Sequence, residues 1–264
     1  MIELILLSTS VAAGFLGSLL GLGGGIIIVP TLTLLFGVNI RYAIAASLIS
    51  VIATSSGAAA GFLKDHLTNL RLAVLLEIGT VSGAMIGFLI SSHINSSALF
   101  LLFGVFLLLS ALMMLRRRSE EVSTSDHPWS SKLKLSHAVD YRIEKVPFGL
   151  AAMFGAGILS ALLGIGSGIF KVLAMDSAMK LPMKVSSATS NFMIGVTATA
   201  SAGAFLLRGD VRPEIAAPVS VGILIGSWFG ARAMVKMPAA SIRIIFVLVL
   251  SIVSIQMIMK GWKG

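Results

Sequence analysis

The sequence predicts an all-α membrane protein that crosses the lipid bilayer several times and consists of two homologous repeats. Two observations lead to this fold class. Of the 264 residues, 56% are hydrophobic and 12% are charged, whereas a soluble domain has about 25% charged residues. In addition, an offset of 143 residues aligns the two halves of the chain without a gap, and it pairs Gly14 with Gly157, Gly21 with Gly164, Ser47 with Ser190, Thr54 with Thr197 and Gly87 with Gly230.

The offset predicts a first transmembrane repeat at 1–115, a cytoplasmic linker at 116–146 and a second transmembrane repeat at 147–264. Each repeat contains four apolar segments. The last three of each repeat have about 20 residues or more, which is enough for a helix to span about 30 Å of hydrocarbon. The segments are predicted at 2–38, 40–63, 70–91 and 96–115, and at 147–181, 183–207, 213–235 and 239–260.

Glycines interrupt the first segment of each repeat. Gly21, Gly23, Gly24 and Gly25 lie close together, and each glycine costs a helix about 1 kcal/mol relative to alanine. We therefore expect two short helices joined by non-helical backbone. Such backbone is tolerated at membrane depth only where protein or a water-filled cavity surrounds it.

The broken segment either crosses the membrane, which gives parallel repeats, or turns back as a re-entrant hairpin, which gives inverted repeats. With the linker inside, 14 Lys and Arg residues lie inside and 5 outside for the hairpin, against 13 and 6 for the crossing. These counts do not separate the two topologies. The arms after the breaks, 26–37 and 169–180, are only about 18 Å long as helices, which favours the hairpin and inverted repeats.

Lys171 is the most informative single residue. It lies one turn after the second break, where a lysine costs about 2.5–3.5 kcal/mol to insert into a membrane. No acidic residue lies three or four positions away on the same helix, so no local partner neutralises it. A bound anion is the favoured partner, and the alternatives are a side chain that extends to the membrane interface or a pair with a distant acid. The first repeat has Ile28 at this position, so an asymmetric site is predicted.

Other polar groups are expected around the same place. Glu77 is isolated in an apolar run and is a candidate for proton coupling or for the distant partner of Lys171. Serine hydroxyls and the Asn191 amide suit an oxyanion, although hydrogen bonds between helices are the alternative. Helices that begin at the breaks would direct backbone N–H groups towards the anion. The predicted substrate-binding set is Lys171, Gly24, Gly25, Ile26, Ser47, Ser167, Gly168, Ile169, Ser190 and Asn191.

Composition and motifs also exclude several function classes. The net charge of +9 comes from basic clusters between apolar runs, which is typical of cytoplasmic loops and not of nucleic-acid binding. The chain has no Cys, so thiol catalysis and Cys-ligated metals are excluded. Its four histidines lie in or beside loops, which leaves Ser167 without a buried base for a catalytic triad. We expect no enzymatic activity, no catalytic residues, no cofactor and no metal.

Four phrases of the sequence together resemble the sulfite exporter TauE/SafE family of membrane anion transporters. They are GFLGSLLGLGGGIIIVP at 14–30, AASLISVIATSSGAAAGF at 45–62, GIGSGIFKVL at 164–173 and SSATSNFMIGVTATASAG at 186–203. The resemblance covers both repeats and leaves out 116–146. It implies export of sulfite or of organosulfonates such as sulfoacetate, by a secondary mechanism on an inverted-repeat scaffold. Because Ser167 and Lys171 replace Gly24 and Ile28 of the first repeat, we expect a doubly charged or larger anion.

The residues and the resemblance together predict a multi-pass secondary transporter of the cytoplasmic membrane. It would export small sulfur-containing oxyanions by alternating access, one repeat moving against the other. The expected partners are the small anionic substrate and the lipid bilayer, with no nucleic acid, and a homodimer is left open. The alternative is a passive anion channel or a permease for another small organic anion. An intramembrane enzyme and an assembly scaffold are two further hypotheses for the function.

Overall fold

The structure is a computed structural model and describes residues 2–18, 24–64, 68–116, 143, 145–236 and 239–263. All regular secondary structure in these ranges is helical. Most of the predicted linker lies outside them. The described α-helices are α1 (Ile2–Ser18), α2 (Gly25–Pro30), α3 (Ile40–Lys64), α4 (Leu70–Ser91), α5 (Ser96–Arg116), α6 (Val146–Leu163), α7 (Gly168–Leu173), α8 (Met183–Leu207), α9 (Pro213–Lys236) and α10 (Ala239–Lys263).

The six unbroken segments predicted from the sequence each form one helix of 21 to 25 residues. Among the described residues, four helical stretches are long and apolar enough to cross a membrane: Leu70–Ser91, Val146–Leu163, Val185–Leu207 and Pro213–Gly230. Large apolar side chains also cover the outside of the molecule, and Leu207 and Trp262 are exposed by 91% and 85%. A surface of this kind is typical of a protein that lies in lipid.

Each glycine-broken segment folds as two shorter helices. In the second repeat α6 ends at Leu163 and α7 begins at Gly168. In the first repeat Gly24 has a φ of 64° directly before α2, and the residues before it, 19–23, lie outside the described ranges. A π-helical segment, Thr31–Leu35 or Ala174–Ala178, continues α2 and α7 respectively.

The π-helical segments begin at equivalent positions in the two repeats. Pro30 precedes the first of them, and proline removes a backbone hydrogen bond from a helix. The second follows Leu173, which has a normal backbone N–H. The proline is therefore not required for the π turn. In both repeats the π turn follows the short helix after the break, and π-helical turns occur frequently at functional sites.

The helices pack mainly against helices of the other repeat. The largest interfaces join α1 with α9 and α4 with α6, and smaller ones join α3 with α9 and α4 with α8. Two pairs of equivalent helices also pack on each other, namely α3 with α8 and α5 with α10. This set of interfaces is unchanged when the two repeats are exchanged, as two-fold symmetry requires.

Close contacts at glycines define the directions of neighbouring helices. A Cβ atom added at Gly79 would lie 2.8 Å from the carbonyl oxygen of Leu150, and one added at Gly87 would lie 2.5 Å from that of Ile158. The residue numbers rise together, so α4 and α6 run in the same direction. For the equivalent helices α5 and α10 the residue numbers run in opposite directions. Gly104 of α5 meets Ile258, whereas Gly261 of α10 meets Leu101. Helices α5 and α10 are therefore antiparallel.

Basic side chains connect several helix termini at one end of the bundle. Arg41, at the start of α3, donates to the Ile94 carbonyl over 3.0 Å. Arg208, after the end of α8, donates to the Ser91 hydroxyl over 3.0 Å. Lys260 of α10 donates to the carbonyl of Thr33, in the first π-helical segment, over 2.5 Å. That segment therefore approaches the same end of the bundle at which α3 begins and α4 ends.

We expect Gly83→Ala to lower the free energy of unfolding by about 1–3 kcal/mol, the usual cost of overpacking. A Cβ atom at Gly83 would overlap the carbonyl oxygen of Phe154 on α6, and two helix backbones would have to separate. Gly155→Ala is the control, because nothing lies within 4 Å of a Cβ atom there and alanine favours the helix. Thermal unfolding of the detergent-solubilised protein measures both, and equal melting temperatures for the two variants would contradict the packing.

Candidate functional site

The two helix breaks lie against each other in the interior of the bundle. A Cβ atom added at Gly25 would lie 2.8 Å from the carbonyl oxygen of Gly164. Ser47 of α3 joins the two breaks, since its hydroxyl donates to the Gly164 carbonyl over 2.7 Å and lies 3.4 Å from the Gly25 carbonyl oxygen. The predicted residues Gly25 and Ser47 therefore lie directly beside the second break.

Ser190 makes the equivalent contact in the second repeat. Its hydroxyl donates to the carbonyl of Gly168 over 3.3 Å, and both serines are buried. In this state the two hydroxyls bond to the backbone of the broken segments. Hydrogen bonding within the protein, the alternative role considered for these serines, is thus present, and binding of an anion by them is a proposal.

Ser167 is the last residue of the second break and carries an unused hydroxyl. Its φ of 49° lies in the left-handed region, like the φ of Gly24 at the equivalent position of the first repeat. The carbonyl of Ser167 accepts a hydrogen bond from the backbone N–H of Lys171 over 3.1 Å. Its hydroxyl is buried and has no hydrogen-bond partner. A free donor therefore lies one helical turn before Lys171.

Lys171 belongs to a buried polar cluster formed by α7, α8 and α4. Its Nζ donates to the Thr197 hydroxyl over 2.5 Å. That hydroxyl in turn donates to Oε1 of Glu77 and lies 2.9 Å from the Met193 carbonyl oxygen. Oε2 of Glu77 lies 3.9 Å from Nζ. In this structure the lysine is therefore paired with a carboxylate from the other repeat, which is one of the alternatives given for Lys171 from the sequence, whereas a bound anion as its partner and proton coupling by Glu77 stay predictions.

The cluster is buried and incompletely hydrogen-bonded. The exposed fractions of Lys171, Thr197 and Glu77 are 0%, 0% and 7%. Oε2 of Glu77 has no hydrogen-bond partner, and an ammonium group has three donors of which the Thr197 hydroxyl takes one. Unsatisfied buried polar groups cost about 1–3 kcal/mol each, and more when they are charged. Hydrogen-bonding capacity of both charged groups is thus unused in this structure.

The position related to this cluster by the offset of 143 residues is neutral. Lys171 corresponds to Ile28, and Glu77 corresponds to Ser220. Thr197 corresponds to Thr54, whose hydroxyl contacts the carbonyls of Ser50 and Val51 on its own helix. The acidic and the basic residue therefore both occur in the same one of two equivalent places. The asymmetry predicted from Lys171 alone extends to its partner.

The remaining predicted residues lie around the breaks but do not contact Lys171 through side-chain hydrogen bonds. Gly24 accepts hydrogen bonds from the N–H groups of Ile27 and Ile28, and Ile26 is buried. The side-chain amide of Asn191 donates to the Ser187 carbonyl over 3.0 Å. The backbone carbonyl of Asn191 accepts a hydrogen bond from the Ser55 hydroxyl of α3. Asn191 thus stabilises the contact between α3 and α8. The side chain of Ile169 lies outside the described part of the structure.

Thr197 is the residue of this cluster that the sequence analysis does not select. The only available signal is its alignment with Thr54, and a threonine in an apolar helix usually bonds to the preceding turn of its own helix. As for metals, no group of three His, Asp or Glu side chains that could hold an ion occurs among the described residues. The cluster therefore offers one cation, one anion and hydroxyl groups.

Comparison with known proteins gives a consistent result. The family model described as Sulfite exporter TauE/SafE matches residues 6–257. The chain is 31% identical to the probable membrane transporter protein YunE of Bacillus subtilis, over 97% of each chain. It is 28% identical to a probable membrane transporter protein of Methanocaldococcus jannaschii, over 97% of this chain and 95% of the relative. No solved structure matches the chain.

Proposed function

Because the chain belongs to the sulfite exporter TauE/SafE family, whose curated relatives are probable membrane transporters, we propose that it is a secondary transporter exporting small sulfur-containing oxyanions, such as sulfite or sulfoacetate, across the cytoplasmic membrane. Membrane transport follows from the family. The choice of an anion is supported by one observation above all, the buried ammonium group of Lys171 beside the place where two broken helices meet.

The proposed topology consists of two duplicated, inverted repeats, 1–115 and 147–264, that each begin with a re-entrant hairpin. The antiparallel packing of α5 on α10 supports inversion, because equivalent helices of parallel repeats would run in one direction. The second broken segment begins and ends close together, since a Cβ atom added at Gly149 near the start of α6 would lie 2.5 Å from the Met179 sulfur directly after the second π-helical segment, and this supports the hairpin. With hairpins, 14 Lys and Arg residues lie at the end that carries the linker and 5 at the other, so the linker end is cytoplasmic by the positive-inside rule.

The proposed mechanism is an exchange of partners at Lys171. An anion that reaches the second break would meet the Ser167 hydroxyl, the first N–H groups of α7, which have no acceptor within the helix, and the ammonium group of Lys171. It would displace Glu77 from the ammonium group, and the released carboxylate would then take up a proton. Anion movement and proton movement would be coupled in this way. Rocking of one repeat against the other would expose the site alternately to the two sides.

The proposal is tested with the purified protein and a panel of anions. Thermal unfolding is measured with sulfite, sulfate, sulfoacetate, phosphate and acetate, and with taurine as a sulfonate that also carries a positive charge. We expect the melting temperature to rise with sulfite or sulfoacetate and to saturate with concentration. Flux into proteoliposomes should saturate as well, whereas flux without saturation would indicate a channel. If no anion in the panel changes the melting temperature, the proposed function is wrong.

Ser167→Gly should weaken the binding of the stabilising anion by about two- to tenfold, the value of one neutral hydrogen bond. Glycine is the residue of the first repeat at this position and accepts positive φ, so the backbone needs no adjustment. We therefore expect the melting temperature without anion to stay at the wild-type value or to rise slightly. A dissociation constant equal to that of the wild type would show that the hydroxyl does not contact the anion.

A further inference from the structure

The Thr197 hydroxyl lies between Lys171 and Glu77, and the two charged groups are farther apart than in a direct ion pair. Direct contacts between an ammonium group and a carboxylate are about 2.7–2.9 Å long, whereas Nζ lies 3.9 Å from Oε2. The short contacts both go through the Thr197 hydroxyl, which accepts from Nζ over 2.5 Å and donates to Oε1. The hydroxyl is thus inserted between the two charges.

The position of this hydroxyl is fixed by the helix that carries it. Thr197 is fully buried, its hydroxyl also lies 2.9 Å from the Met193 carbonyl oxygen one turn earlier, and β-branched side chains have few rotamers in a helix. Lys171 lies on α7 and Glu77 on α4, so the three groups come from three separate helices. A hydroxyl held by α8 can therefore keep the other two side chains at a set distance.

We propose that Thr197 is a positioning residue that holds the Lys171–Glu77 pair in a loosened, hydroxyl-bridged form, so that an anion can replace Glu77 at the ammonium group. This inference rests on the proposed function and adds a residue to it. With a smaller side chain that lacks the hydroxyl, the two charges would come into direct contact, and in a buried site a shorter distance strengthens their attraction. The internal carboxylate would then compete more effectively with the anion.

Three variants test the inference with sulfite or sulfoacetate, whichever stabilises the wild type. Thr197→Ala removes the hydroxyl and leaves room for the two charges to meet, and it should raise the apparent dissociation constant about tenfold or more, equivalent to one charged hydrogen bond. Thr197→Ser keeps the hydroxyl and should stay within about twofold of the wild type. Thr197→Val puts a methyl group in the place of the hydroxyl, so the charges stay apart and the dissociation constant should rise less than in Thr197→Ala.

Thr54→Ala is the matched control. Thr54 occupies the equivalent position on α3 and contacts the carbonyls of its own helix, and the positions equivalent to the charged pair hold the uncharged Ile28 and Ser220. The substitution should leave the dissociation constant unchanged. In proteoliposomes, Thr197→Ala should raise KM more than it lowers the maximal rate. Equal effects of Thr197→Ala and Thr54→Ala, or of Thr197→Ala and Thr197→Ser, would overturn the inference.

A second measurement needs no anion and separates this inference from the proposed function. The coupling between Lys171→Met and Glu77→Gln is measured as a double-mutant cycle on the melting temperature, with and without Thr197→Ala. We expect a larger coupling in the Thr197→Ala background, because the smaller side chain lets the pair come into direct contact. An unchanged or smaller coupling overturns the role of Thr197. If the coupling grows and no anion stabilises the wild type, the positioning role holds and the proposed function fails.

Discussion

Replacing Lys171 with methionine is expected to abolish the stabilisation by anions and to lower the free energy of unfolding by about 3–5 kcal/mol, the usual cost of removing one partner of a buried ion pair. The substitution leaves the Glu77 carboxylate buried without its counter-charge, with the hydrogen bond from Thr197 still in place. Methionine has nearly the length of lysine, so the loss comes from the charge and not from a cavity. Thermal and denaturant unfolding measure the first effect, and the anion panel measures the second.

The double variant Lys171→Met with Glu77→Gln separates the two effects. With both charges removed, most of the lost stability should return, because replacing a buried ion pair by neutral groups is often neutral or stabilising. The response to anions should not return, because the ammonium group is absent. Lys260→Met is the control, since this partly buried lysine lies at one end of the bundle, against the Thr33 carbonyl. Full retention of the anion response in Lys171→Met would show that Lys171 does not bind the substrate.

Glu77→Gln is expected to act in the opposite direction on anion binding. It removes the internal carboxylate that competes for Lys171, so the anion should bind about tenfold more tightly or better, a difference of about 1.4 kcal/mol. The protein without anion should be less stable than the wild type, because a buried ammonium group has lost its counter-charge. The stabilisation by anion, measured as the shift of the melting temperature, should therefore be larger in the variant than in the wild type.

The same substitution should remove the dependence of binding on pH. In the wild type, protonation of Glu77 neutralises the carboxylate and releases Lys171, so anion affinity should increase as the pH falls. Glutamine has no proton to gain, and the affinity of the variant should be constant over the pH range in which the charge of the anion does not change. Transport driven by a pH gradient should be lost in Glu77→Gln proteoliposomes while anion exchange continues. A variant that retains the wild-type pH profile would exclude Glu77 as the coupling group.

Ser220→Ala is the matched control for Glu77→Gln. Ser220 is the residue equivalent to Glu77 in the second repeat, and it lies 3.4 Å from the Ser50 hydroxyl. Because no charge is changed, neither the affinity for the anion nor its pH dependence should be altered. An effect of similar size at both positions would mean that helix packing, and not the carboxylate, determines the result.

The sequence predicts the features that depend on residues close together in the chain. Hydropathy gives the helices of 21 to 25 residues, because the length of an apolar run limits what can cross a bilayer. The glycine cluster gives the breaks, because glycine destabilises a helix locally. The offset of 143 residues matches the positions of equivalent helices, such as α2 at Gly25–Pro30 and α7 at Gly168–Leu173. Lys171 is likewise recognisable from its own helix, on which it has no acidic neighbour.

Only the tertiary structure decides how these pieces meet. The carboxylate of Glu77 reaches Lys171 through Thr197 because α8 of the second repeat packs on α4 of the first repeat and also on α7, and hydropathy contains no information about which helices pack together. The tertiary structure also decides that α5 and α10 are antiparallel and that Ser47 bonds to the second break. Local spacing determines where a charge lies along its helix, whereas its partner is determined by the packing of helices that are distant in the chain.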